Sequence, residues 1–89
     1  MSAVLITYDL NKPGQNYEKL YDKIKTFGAW WHHLDSTWIV DTNLTVGEVN
    51  DRLRSVMDDS DSVLILNITG DTYAGWLPQD AWNWLKSHM

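Results

Sequence analysis

The chain has 89 residues, a formal charge of −5 and no cysteine. That length holds one domain, and the missing thiols exclude disulfides and thiolate metal sites. Seven scattered Lys and Arg against twelve acids disfavour extended nucleic-acid binding, which needs clustered cations to neutralise phosphates.

No apolar stretch approaches the ~20 residues that span a bilayer. The N-terminus lacks the basic flank and long apolar run of a signal peptide. A cytoplasmic protein without membrane contact is therefore expected. Six Trp and four Tyr are more large aromatics than a core this small takes up, so some must line an interface or a pocket. A small domain buries a modest fraction of its surface, and a homodimer or larger homo-oligomer would add to it.

Ala3 to Tyr8 is a nearly continuous apolar run that ends at Asp9. Its length and β-branched content predict a buried central strand. Asn11-Lys12-Pro13-Gly14 breaks it with turn residues. Tyr17, Leu20, Tyr21, Ile24 and Phe27 then fall on one face of a 3.6-residue period. Asn16 fits the N-cap of that helix and Gly28 its C′ position.

Ala29–Leu34 and Thr37–Asp41 predict a hairpin around Asp35-Ser36, a connection too short for a parallel crossover. Trp30, His32 and Leu34 share one face of its first strand, Trp31 and His33 the other. Trp38 and Val40 lie on one face of its second strand, with Ile39 opposite. Thr45-Val46-Gly47-Glu48 is a capping-box pattern. Val46, Val49, Leu53, Val56 and Met57 supply the apolar stripe of the helix it opens.

Asp58-Asp59-Ser60-Asp61 reads as a solvated turn, since a calcium loop would need a central Gly and a distant Glu. Val63 to Ile68 is the second strongly apolar strand. In the tail, Leu77-Pro78-Gln79-Asp80 starts a short aromatic helix with Ala81, Trp82, Trp84 and Leu85.

The expected class is α+β: a ferredoxin-like β-α-β-β-α-β sandwich over residues 1–70. An aromatic extension over 71–89 belongs to the same single domain. Two crossover helices on one face of a mixed sheet put the first and third strands in the middle.

Val4-Leu5-Ile6-Thr7-Tyr8-Asp9-Leu10, the Ser-Thr-Trp strand and the terminal Asp-Ser-Val-Leu-Ile-Leu strand resemble a family of small CRISPR-associated integration proteins. These are the proteins called Cas-two, with their SinR-like and VapD-like relatives. The resemblance covers about residues 3–69. It implies a ferredoxin-like dimer, and it implies that Asp9 assists metal-dependent phosphodiester cleavage. The SinR-like members imply a phage or mobile-element setting, in which a small protein neutralises a host defence or its signalling nucleotide. The segment Gly-Ala-Trp-Trp-His-His-Leu-Asp departs from the Arg-rich character of the family's nucleic-acid binders.

Two functions follow as expectations. In the first, a homo-oligomeric binding protein needs no cofactor. It sequesters a nucleotide-like ligand, or masks a partner, through a slot with Trp30, Trp31, His32, His33, Ser36, Asn67, Trp76 and Trp82. Indole faces stack on flat ligands while His, Ser and Asn side chains supply polar contacts. In the second, Asp9 holds Mg²⁺ or Mn²⁺ for endoribonuclease chemistry, and two symmetry-related copies would be needed. Asp9 reads more readily as a local cap on the turn that follows it than as a metal ligand.

Overall fold

Alternation along the first strand decides how the layers stack. In β1 (Ser2–Asp9), Val4, Ile6 and Tyr8 point to one side and Ala3, Leu5 and Thr7 to the other. Both sides are covered, and a strand buried on both faces reads as a continuous apolar run. The computed structural model describes residues 1–14 and 16–89. The further elements are α1 (Glu18–Lys25), β2 (Ala29–Leu34), β3 (Thr37–Thr42), α2 (Val46–Arg54), β4 (Ser62–Asn67) and α3 (Gln79–His88).

The four strands form one sheet in the order β2-β3-β1-β4. Every neighbouring pair is antiparallel, so the expectation of a mixed sheet is corrected. Each crossover helix returns the chain not to a neighbouring strand but to one a place further on, across an antiparallel strand. β1 and β3 sit in the middle, where their sequences place them.

On one face, α1 and α2 cover the sheet. Leu20, Ile24 and Phe27 and, from α2, Val49 and Leu53 pack on Val4, Ile6, Tyr8, Trp38 and Val40. α1 begins a residue later than the Asn16 cap implies. Asn16 Oδ1 still accepts the Glu18 N–H at 2.9 Å. The Thr45/Glu48 capping box is formed in both directions, at 3.1 and 3.0 Å. Gly28 has φ +150°, and a Cβ there would fall on the Asp41 carbonyl oxygen. The residue is fixed by this close approach to β3 rather than by a helix cap alone.

On the other face, the tail lies over the sheet as a third layer. Ala81 and Leu85 of α3 pack on Ala3, Trp31 and Ile39, flanked by Leu5, Ile68, Leu77, Trp82 and Trp84. Trp31 Nε1 donates to the Ala81 carbonyl at 3.2 Å. His88 Nδ1 lies 2.7 Å from Asp41 Oδ2, and Trp84 stacks on the His88 ring with centroids 4.1 Å apart. No helix among the described residues is long and apolar enough to cross a membrane.

One polar residue is buried to hold two loops together. Asp61 accepts from the Asn11 N–H (2.8 Å), the Tyr17 hydroxyl (2.7 Å) and the Asp58 N–H (2.9 Å). Burial raises its pKa, but these three donors together outweigh it and hold the carboxyl below its ordinary value. The depressed value fixes the sign of the pH dependence. The stability Asp61 contributes is present above the unfolded pKa of about 4 and is lost as pH falls through the lower folded value. Asp61→Ala strands the three donors and should cost roughly 1–3 kcal/mol at neutral pH. The difference from wild type in urea melts should shrink toward pH 2.

Candidate binding surface

Alternation along β2 sends its aromatics to opposite sides of the sheet. Trp30 pairs with Val40 and Trp31 with Ile39. Trp30 therefore faces the α1/α2 layer and Trp31 the α3 layer. The ladder slips between Trp31 and Leu34, an irregularity the sequence pattern does not carry.

The α1/α2 side holds a connected aromatic group around Trp38. His32 stacks on Trp38 with centroids 3.8 Å apart and planes 8° from parallel. Trp30 lies 5.4 Å away, tilted, and Tyr21 6.1 Å away. Trp38 Nε1 donates to the Tyr8 hydroxyl at 3.0 Å. Burial raises the Tyr8 pKa despite that bond, so the phenol stays neutral. His32 Nδ1 is 3.1 Å from the Thr37 carbonyl oxygen. Trp30 is 43% exposed, and the Lys25 ammonium sits 5.1 Å from its ring centroid, within cation–π range.

The α3 side carries a second group. Trp31 is buried under α3, with its indole N–H used internally, so it has no free face for a ligand. His33 is exposed and packs beside Trp31, centroids 5.1 Å apart. Trp82 is half-buried, stacks on Tyr73 at 6.0 Å and would lie 3.6 Å from a Cβ at Gly75. Trp76 is 100% exposed.

Ser36 and Asn67 belong to opposite ends of the sheet. Ser36 lies in the β2–β3 turn, its carbonyl accepting the Tyr8 N–H at 3.1 Å. Asn67 lies opposite Val4, and its Oδ1 accepts from the Thr69 N–H and hydroxyl. The eight residues expected to line one slot are thus divided between two faces and two ends of the sheet. The structure brings together Trp30 with His32, and Trp31 with His33, as separate sets.

Asp9 ends β1 opposite Ser62. It is exposed and borders an open cavity of about 200 Å³ lined by Thr7, Tyr8, Asp9, Ser62, Val63 and Leu64. The capping of the following turn falls to Asp61, fifty residues on. Sequence reasoning passed over Asp61 because three acids in four positions look like a solvated loop. Among the described residues no group of three His, Asp or Glu is placed to hold a metal ion. Cavities of about 310 and 240 Å³ lie along α1 (Lys19, Asp22, Lys23, Thr26, with Val56) and between α2 and β4 (Val46, Gly47, Asn50, Val63, Leu64, Ile65).

Comparison with protein families, with curated proteins and with solved structures finds no match to this chain.

Proposed function

We propose that this chain is a ferredoxin-like binding module that works as a homo-oligomer and covers a protein partner with exposed tryptophan. The β-α-β-β-α-β order, with β1 and β3 central and both crossover helices on one face, supports the fold part of that reading. The observation that carries the function is Trp76. Its indole is wholly exposed on the segment joining β4 to α3, beside an aromatic pair, Tyr73 and Trp82, that stacks on itself. A solvent-facing indole gives up about 150–250 Å² of contact area on docking. Tryptophan is also enriched among the residues that dominate protein interfaces.

The cavities described above carry no tryptophan in their linings. That favours a flat contact with a protein over an enclosed slot for a small molecule. A host-defence protein is the class of partner that the family resemblance implies. A nucleotide-like ligand has one observation in its favour, the Lys25 ammonium beside the half-exposed Trp30 ring, where a base and a phosphate would both find contacts. The Mg²⁺- or Mn²⁺-dependent endoribonuclease has the exposed Asp9 carboxylate at the rim of an open cavity. A single carboxylate per chain fits such an ion only when a second copy supplies another.

Trp76→Ala should leave thermal stability within about 0.5 kcal/mol of wild type, as for a surface substitution away from the core. It should lower in-cell cross-linking to a partner protein about tenfold or more. Mono- and dinucleotides should leave the tryptophan fluorescence of the purified protein unchanged. Saturable quenching lost in Trp30→Ala would replace the protein partner with a nucleotide. Metal-dependent cleavage of single-stranded RNA, abolished by Asp9→Ala, would replace both with the nuclease.

A further inference from the structure

We infer that β4 pairs edge to edge with β4 of a second copy of this chain, joining two four-stranded sheets across a two-fold axis. The inference rests on the homo-oligomer reading above and names the surface that makes the oligomer.

β4 is the last strand of the sheet, and its outer row of N–H and C=O groups has no strand partner among the described residues. Edge strands are normally defended by Lys, by Pro, by a bulge or by being very short. Ser62–Asn67 reads Ser-Val-Leu-Ile-Leu-Asn. It has none of those devices and keeps an unbroken six-residue register with β1.

Both faces of this edge are apolar and open. Leu64 is 56% exposed and Leu66 45% exposed on the α3 side. On the helix side, Val63 and Ile65 line the 240 Å³ groove with Val46, Gly47 and Asn50. The 200 Å³ cavity beside Thr7 reaches the same strand from β1.

Charge chooses the occupant. No residue of β4 is charged, and none of Val46, Gly47 and Asn50 is, in a chain of net −5. A basic partner would be met by acids along the strip and a nucleic acid by cations. Two copies of an acidic chain can approach only over a neutral surface, and this strip is one.

A two-fold axis perpendicular to the sheet keeps both α3 layers on the same side, so residues of equal parity face each other. Centred on Ile65, it sets Leu64 against Leu66 of the partner subunit. A strip one strand wide falls short of the ~800 Å² per partner of a standard interface. The dimer should therefore dissociate in the micromolar range.

The test is sedimentation equilibrium of the full chain from about 1 to 300 μM, the range in which a micromolar dimer reverses. The wild-type mass should rise from 10.3 kDa toward twice that value. Leu64→Lys, at an exposed position, should weaken association about tenfold or more and leave the helical circular dichroism unchanged. Leu34→Lys, on the opposite edge strand, should leave association unchanged. The chain has no cysteine, so Ile65→Cys should give one disulfide-linked dimer under oxidation, and this readout decides if Leu64→Lys fails to fold.

A wild-type monomer throughout overturns both this inference and the homo-oligomer reading. A dimer that withstands Leu64→Lys and does not cross-link through Ile65→Cys overturns the β4 interface alone.

Discussion

Trp38→Ala should destabilise the domain by about 3–5 kcal/mol, the range for emptying a buried aromatic site. Trp38 is 2% exposed and is the largest fully enclosed side chain in the core on the α1/α2 side. The substitution removes the stacking surface of His32 and the neighbours of Tyr21 and Trp30. It also leaves the Tyr8 hydroxyl without its indole donor. At roughly 4–8 °C per kcal/mol for a domain of this size, the midpoint should fall by at least ~12 °C. Trp38→Phe restores the ring and not the N–H, so its loss should be smaller than that of the alanine variant. Equal losses in the two would show that the Trp38–Tyr8 bond, and not the ring volume, holds the site.

Gly28→Ala should cost about 3 kcal/mol or more, although it adds a single methyl group. Two effects combine. The backbone is held at φ +150°, which a residue with a Cβ adopts only under strain. The new Cβ also meets the backbone carbonyl of Asp41, which no rotamer change can move aside. Relief requires β2 to separate from β3 at Ala29–Asp41, the first pair of their ladder. Gly14→Ala is the useful contrast. It has φ +76° but nothing within 4 Å of the added atom, so it should show the conformational cost alone, about 1–2 kcal/mol. Denaturant melts of the two variants separate strain from collision. If Gly28→Ala is no worse than Gly14→Ala, the close approach of α1's exit to β3 is looser than described.

The local features of this fold were legible because they depend on neighbours in sequence. The Thr45–Glu48 box, the Leu20/Ile24/Phe27 stripe, the hairpin at Asp35-Ser36 and the start of the tail helix at Gln79 all follow from spacing and turn chemistry. The faces of Trp30 and Trp31 followed from a period of two. Of the sheet, the crossovers gave β1 and β3 their central places, but the pairing direction and the long-range contacts were not legible from any one segment. Val63 to Ile68 is as apolar as β1, yet β1 has a strand on each side and β4 has one. An apolar run does not say whether its neighbours are strands or open water. Asp61 looked like one more solvated acid, because the donors it collects at Asn11 and Tyr17 are more than forty residues away. The expected slot failed as a single unit for a related reason. Its members were grouped by chemistry, while alternation had already sent Trp30 and Trp31 to opposite layers.

The α3 layer has a consequence for how the protein is made. All four strands are synthesised before the helix that covers the sheet's second face, with roughly 20 residues between the end of β4 and the end of α3. The sheet can pair before α3 docks, and in that interval Ala3, Leu5, Trp31 and Ile39 are bare. The open β4 edge is bare over the same interval. Newly made chains therefore present sticky faces and unpaired edges to one another until α3 docks. Chaperone supply during that interval, as well as the stability of the finished fold, should govern how much of this protein reaches its native state.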